Sequence, residues 1–492
     1  MKFGWLGDNL FLAYWWVVVC VKQQIADNPR LSKRTKFVTV RYSVTINLIN
    51  QTKLVHQTAR IALSLITMTA QTTAEPAASQ IITAQYRPLV IGIVAGEVSG
   101  DALGADFMRQ MNNLRDDIVW VGVGGSQMQA AGLQSVIEMS RLAVMGLSEV
   151  VKHLPDLLNA KAQILRAFAD PKPDIFIGID APDFNLRLAK ALKPKGVYCV
   201  QYVSPSIWAW REGRIESIKQ ATHLVLCLFP FELPVYAKHG HPAVCVGHPL
   251  LKTLDPALTT TPMLDQRLAL IWAQDDLREF FADTPDISAL IALLPGSRSG
   301  EIRALLPTLF ASVRRLLIID KRLCFIIPAT CAEHQQLLTA ELAQQPKEVR
   351  ARVVVTHNPA QADFGQRVMA IADLVLLASG TATFEAMLLT RPMVVVYRLK
   401  PLSFWLAKKL VKIPYVALPN ILAGRLIVPE LLQNDATADS ISRTVYKTLS
   451  APAYQNQQRA LAETCAHLRA QSNTNPANAV VEGWLAWLSG NN

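Results

Sequence analysis

The 492-residue chain has no Cys-x-x-Cys pair, no Gly-x-Gly-x-x-Gly fingerprint and no Gly-x4-Gly-Lys-Ser/Thr loop. A thioredoxin-like redox centre, a zinc ribbon, the usual dinucleotide turn and a P-loop are therefore excluded. Long apolar runs are also missing: the longest, Leu10–Val21, has 12 residues, short of the roughly 18–20 that cross a bilayer. Cysteine is scarce, seven in all, and most lie inside apolar runs such as Leu224–Leu228. Such thiols are expected to be buried and reduced, in a reducing compartment. No His, Cys, Asp and Glu share metal-ligand spacing, and His239 and His241 in a His-Gly-His-Pro loop are read as turn residues. What the chain does have is apolar mass. At 51% hydrophobic and 18% charged residues, it can fill the cores of several domains and is no disordered or fibrous protein.

The net charge of +11 is unevenly placed. Residues 1–67 carry nine Lys/Arg and two Asp/Glu, whereas the remaining 425 carry 40 basic and 36 acidic residues. The globular part is nearly neutral overall, so no general nucleic-acid footprint exists. Residues 1–87 read as an extension outside the fold, disordered or surface-associated. Met68 is a candidate start, and no convincing signal-peptide cleavage site follows the apolar run.

From Pro88 onward, short β-branched apolar runs alternate with segments of helical period. Strands are expected at Leu89–Val94, Ile118–Val123, Ile175–Ile179, Val197–Val203, Leu224–Leu228 and Val244–Val246. A second series covers Leu290–Leu294, Cys324–Ile327, Val353–Thr356, Leu374–Leu377 and Met393–Tyr397. Continuous apolar strands separated by helices indicate parallel sheets covered on both faces. Two Rossmann-like, doubly wound α/β domains follow, 88–287 and 288–455, joined near 250–287 and trailed by C-terminal helices over 456–492. Ligands of such sheets bind beyond the carboxyl ends of the strands, so the two edges are expected to face one central cleft.

The motifs sit at those edges. Ala95-Gly96-Glu97-Val98-Ser99-Gly100-Asp101 turns from a strand into a helix, and its carboxylates suit a polyhydroxyl guest better than a pyrophosphate. Glu97, Ser99 and Asp101 are therefore acceptor-side candidates. In Gly178-Ile179-Asp180-Ala181-Pro182-Asp183, Asp180 is read as a general base and Asp183 as structural. Tyr202–Arg211 adds Ser204 and Trp208, able to line a sugar or acyl groove or to pack internally. Leu294-Pro295-Gly296-Ser297-Arg298 presents one forked, permanently charged donor to a diphosphate. Ala378-Ser379-Gly380-Thr381 opens a helix whose amides suit phosphate, and Glu385, one turn in, suits a ribose. Gly296, Ser297, Ser379, Gly380, Thr381 and Glu385 thus form a nucleotide set. Between Ala386 and Pro429 there are seven basic residues and no acidic one. Phe404, Ala407, Leu410 and Val411 share a helical face there, opposite Lys408, Lys409 and Lys412, a pattern that fits an anionic membrane surface. Trp405 belongs to the same stretch, and Met145 and Leu147 to a second apolar-rich one, as candidate lipid contacts.

Several of these segments, in order over about residues 88–435, resemble bacterial lipid A disaccharide synthases, inverting glycosyltransferases of GT-B architecture. The carriers are AGEVSGDALGA (95–105), LAVMGLSEV (142–150), GIDAPDFN (178–185), YVSPSIWAWR (202–211), LPGSRSGE (294–301), LASGTATFEAML (377–388) and KPLSFWLAKKLVK (400–412).

The resemblance implies transfer of 2,3-diacylglucosamine from its UDP form to 2,3-diacylglucosamine 1-phosphate, giving a β-1,6-linked tetraacyl disaccharide 1-phosphate and UDP. Asp180 matches the family's catalytic Asp and Arg298 its diphosphate-side Arg. A peripheral enzyme on the cytoplasmic face of the inner membrane is implied, without a metal requirement and with no cofactor. Some members form homodimers by exchanging carboxyl-terminal elements. The competing readings are a UDP-sugar 2-epimerase of the same architecture and a non-catalytic nucleotide- or lipid-binding protein at a membrane surface.

Overall fold

Two parallel sheets organise the chain. The computed structural model describes residues 87–142, 147–398 and 414–490. Within Pro88–Asn492 the first sheet has seven strands. They are β1 (Leu89–Ala95), β2 (Ile118–Val123), β3 (Gln134–Ser135), β4 (Ile175–Ile179), β5 (Tyr198–Tyr202), β6 (Leu224–Cys227) and β7 (Ala243–Cys245). Their order is β3-β2-β1-β4-β5-β6-β7, with every neighbour parallel. The central strands read as unbroken apolar runs because both faces are covered; all seven residues of β1 are buried. Covering helices include α1 (Val98–Leu114), α2 (Ser126–Ala130), α3 (Leu147–Ala167) and α4 (Pro182–Leu192).

The second sheet repeats the plan with β8 (Ala289–Leu294), β9 (Leu323–Pro328), β10 (Val353–Thr356), β11 (Leu374–Ala378), β12 (Met393–Tyr397) and β13 (Glu430–Leu432). Its order is β10-β9-β8-β11-β12-β13. Helices α5 (Ser299–Ile319), α6 (Ala332–Ala343), α7 (Phe364–Ile371) and α8 (Thr381–Leu388) flank it. The doubly wound reading therefore holds. In each half the direction of winding reverses between two adjacent strands, β1 and β4 in the first and β8 and β11 in the second, and such reversals open the ligand crevice.

The link between the halves, Leu250–Asp283, is helical and contains no strand among the described residues. Its Leu254, Leu258, Leu270 and Leu277 are buried in the second core, as is Phe229 from the first half. Helix α9 (Ala451–Gln471) buries Leu461, Cys465 and Leu468 against that second core. The last helix, α10 (Pro476–Gly490), returns instead to the first sheet, where Ala477 and Val480 are buried beside β1 and β5 residues and Trp484 and Trp487 pack on them. Of the six described cysteines, all are free and only Cys331 is not fully buried. The expectations placed on residues 1–86, on Met145 and on Trp405, Lys408, Lys409 and Lys412 lie outside the described residues, as does the side chain of Leu147.

Candidate functional site

Both motif sets stand at the reversals. Ala95, the last residue of β1, pairs with Ile179, the last of β4, so the Gly96-Glu97 turn and the Asp180-Ala181 turn leave the sheet side by side. A Cβ added at Gly96 would lie 3.4 Å from the Ala181 Cβ. The second turn has an uncommon backbone: Asp180 at φ 48° and Ala181 at φ 38° are successive left-handed residues, and neither is glycine. Such positions cost of order 1–3 kcal/mol each and persist only where the surroundings over-determine them. Here the Asp180 N–H donates to the Tyr202 carbonyl at 2.8 Å. The Asp180 carbonyl accepts from Asn185 Nδ2 at 2.9 Å and Gln201 Nε2 at 3.0 Å. Gly178 makes this possible, because a Cβ there would meet the Asn185 Cβ at 2.7 Å. The backbone is clamped, and the carboxylate projects from it half-buried.

Burial raises the Asp180 carboxyl above its ordinary value, while a backbone hydrogen bond at Ala181 works the other way. Glu97 is raised by burial first and then by the charge of Asp180, with Arg298 pulling it down. That last effect spans the halves. Arg298 belongs to the second sheet's β8 loop, yet its charge reaches Glu97 of the first.

The other acidic candidates are engaged elsewhere. Asp101 was expected to face the acceptor, but it is 3% exposed. Its carboxylate accepts from the backbone N–H groups of Gly125, Gln127 and Met128 at 2.8–3.1 Å, capping α2. It serves the fold. Asp183 is exposed and pairs with Arg214 at 2.6 Å. Ser204, also assigned to the acceptor, is buried and bonded to Tyr236 Oη at 2.8 Å. Trp208 is half-buried against Phe231, ring centroids 4.6 Å apart. Ser99 remains exposed at the start of α1.

In the second half, a cavity of about 440 Å³ opens at the strand ends. Gly296, Ser297, Ser379, Gly380, Thr381 and Glu385 all line it, bringing the whole nucleotide set together. Gly296 sits at φ 130°, where a side chain would be strained and would press on Glu301. Arg298 is exposed and bonds Glu301 Oε1 at 3.0 Å. The first turn of α8 has no side-chain cap, leaving amide donors for an anion. Burial raises the Glu385 carboxyl, partly offset by a hydrogen bond from Gln366.

Sequence reasoning missed the far wall of this cavity, formed by Thr330, His357, Asn358 and Gln361. These residues follow β9 and β10, so the strand-end rule alone would have found them. His334 braces that wall: Nδ1 lies 2.6 Å from Thr330 Oγ1 and Nε2 3.1 Å from Ser299 Oγ. It thus ties the loop after β9 to the start of α5. Helix α8 links the cavity to the first half. Its Phe384, fully buried beside Glu385, packs edge-on to Phe229 at 5.2 Å and against His248 at 4.8 Å. The side chains of His239 and His241 reach outside their loop to Glu212 and Thr222. Among the described residues no group of three or more His, Cys, Asp or Glu is placed to hold a metal ion.

A family model described as lipid-A-disaccharide synthetase matches residues 91–482. The lipid-A-disaccharide synthase of Pseudomonas syringae pv. syringae (strain B728a) is 44% identical over 73% of this chain and 88% of its own length. That of Azotobacter vinelandii (strain DJ) is 42% identical over 73% and 90%, and that of Pseudomonas fluorescens (strain SBW25) 41% over 80% and 97%. Among solved structures, the kitacinnamycin glycotransferase superposes with a TM-score of 0.52 at 15% identity, covering 81% of this chain and 99% of that one. The α,α-trehalose 6-phosphate synthase of Burkholderia multivorans gives 0.50 at 13% identity, covering 82% and 100%. At such identities the likeness is one of fold.

Proposed function

The chain belongs to the lipid-A-disaccharide synthase family of GT-B glycosyltransferases, and from that premise we propose that it moves 2,3-diacylglucosamine from UDP onto the 6-hydroxyl of 2,3-diacylglucosamine 1-phosphate. The observation that supports the reading is that the Glu97 and Asp180 turns leave β1 and β4 side by side, while Gly296, Ser297, Ser379, Gly380, Thr381 and Glu385 line one cavity at the strand ends of the second sheet. UDP lies in that cavity, its ribose hydroxyls on Glu385 and its diphosphate at the start of α8. Asp180 takes the proton of the 6-hydroxyl as that oxygen attacks the anomeric carbon from the side opposite UDP, inverting it. A carboxyl raised by burial is better matched to this task near neutral pH than an ordinary one. Arg298 leaves Glu301 for the diphosphate and, with the α8 amides, stabilises the charge that builds as the bond to UDP breaks. Glu97 and Ser99 orient the acceptor sugar.

The acyl chains lie along an apolar surface that includes Leu154 and Leu158, exposed one turn apart on α3 at 40% and 53%. No helix among the described residues is long and apolar enough to cross a membrane. The basic amphipathic pattern of Lys408, Lys409 and Lys412 supports residence on the anionic inner face of the inner membrane. Flotation of the protein with anionic liposomes tests that placement, and changing the three lysines together to Gln should weaken it. The reaction itself is tested by release of UDP from UDP-2,3-diacylglucosamine with and without the acylated monosaccharide phosphate. Release that requires the acceptor and yields the disaccharide supports the proposal; UDP binding without any transfer ends it.

A further inference from the structure

His357 stands directly after β10, half-buried, on the wall of the cavity. Its Nδ1 lies 2.9 Å from the Ala329 carbonyl oxygen. A carbonyl oxygen only accepts, so Nδ1 carries the proton, and Nε2 of the neutral ring is left as an acceptor. Among the described residues nothing bonds Nε2, and it is not one of the solvent-excluded polar atoms. An imidazole lone pair is therefore held open beside the cavity. The next residue supplies the complement. Asn358 Oδ1 accepts from the Ala360 N–H at 3.0 Å, which fixes the amide and leaves Nδ2 as a donor.

Position in the sheet says what would meet this pair. The diphosphate groups lie at the ends of β8 and β11, and β10 is two places from β8. At about 4.8 Å per strand, that puts His357 roughly 10 Å from the diphosphate edge. The base of a bound nucleotide reaches that far, beyond the ribose. Of the pyrimidines, uracil offers a ring N–H flanked by carbonyl oxygens, whereas cytosine offers a bare lone pair at the same ring position. Against Nε2 the first makes a hydrogen bond and the second a repulsion.

We propose that His357 Nε2 accepts the N3–H of uracil while Asn358 Nδ2 donates to an adjacent base carbonyl, so that this pair selects uridine over cytidine nucleotides. The inference rests on the reading of the cavity as a UDP-sugar site. Its test is a chemical double-mutant cycle on the full chain, measuring dissociation constants by calorimetry for UDP, N3-methyl-UDP, CDP and 2′-deoxy-UDP. The wild type should bind UDP about 10- to 100-fold more tightly than N3-methyl-UDP or CDP, the range for leaving a polar partner unmade. In His357→Ala the N3-methyl penalty should collapse toward unity, while His357→Gln, which keeps an acceptor, retains part of it. A full N3-methyl penalty in a His357→Ala protein that still binds UDP overturns the assignment and leaves the UDP site standing. Loss of sensitivity to the 2′-hydroxyl in place of N3 methylation puts the imidazole on the ribose and overturns it as well. A wild type that binds no UDP removes the underlying reading, and the inference with it.

Discussion

The charge of Asp180 raises the proton affinity of Glu97, its neighbour across the ends of β4 and β1. Coulombic repulsion is mutual, so the ionised Glu97 makes Asp180 a stronger base. Glu97→Gln should move the acid limb of the kcat/KM profile to lower pH, because Asp180 then stays deprotonated further into acid. A limb that stays in place would separate Glu97 from the base.

Asp180→Asn should retain substrate binding and lose about 10²–10⁴ in kcat, the usual worth of a positioned general base. Stability should move the opposite way. Burial raises the Asp180 carboxyl, so the folded protein holds this proton to higher pH than the unfolded chain does. Ionisation therefore costs stability as pH rises through that window, and the cost persists above it. The Asn variant should melt no lower than wild type at neutral pH, with the difference fading as pH falls through the carboxylate range. A clearly lower melting temperature at neutral pH would make Asp180 a structural residue.

Arg298 is exposed, with its side chain at 64%, so replacing it should leave stability within about 0.5 kcal/mol. Arg298→Ala should cost roughly 10²–10³ in kcat, as for removal of a leaving-group stabiliser. Arg298→Lys should recover little of it, since a point charge lacks the guanidinium fork. Full recovery by Lys in steady-state kinetics would show that charge alone suffices.

Asp101→Ala should fail for a different reason. It strips the cap from three backbone amides around α2, of which the Met128 donor is buried, and a buried donor left unpaired costs about 1–3 kcal/mol. Denaturant unfolding should show the loss, while the protein that remains folded turns over with a near-normal KM for the acceptor. A raised KM in a fully stable variant would return Asp101 to the acceptor site.

Acid should loosen the first half and its junction with the second. Burial lowers His223, His241 and His248 to about 4, from near 6.5 in an unfolded chain. The folded protein thus binds fewer protons in that interval, and stability falls as pH drops from about 6.5 toward 4. His223 stacks on Tyr198 at 5.0 Å and meets Trp487 of α10 at 5.2 Å, with Nδ1 accepting the Cys199 N–H. His248 packs on Phe384. Melting temperatures across this interval should decline in wild type and less steeply in His223→Gln, which lacks one of the three rings that charge.

Much of this was written plainly in the chain. The strands of both sheets read as apolar runs because parallel strands bury both faces, and the nucleotide set was legible because small residues and Arg298 follow such runs. β3 and β13 escaped, being two and three residues long and not fully buried. Asp101 misled because a carboxylate in a glycine-rich turn looks alike whether it meets a ligand or a backbone. Only the distant Gly125–Met128 segment decides the matter. His357 and Asn358 were silent because their role depends on which ring or amide atom the backbone occupies, and no spacing encodes that.

The return of α10 to the first sheet has a consequence for biosynthesis. Val480 leaves the ribosome long after Leu89, yet it is fully buried in the core that begins with Leu89. The first sheet is thus made early yet waits, its β1–β5 surface uncovered, until the whole second sheet has been translated. Ribosome-bound chains stopped before residue 476 would hold a covered second sheet beside an uncovered first one, and a nonsense change there would damage the sheet encoded first.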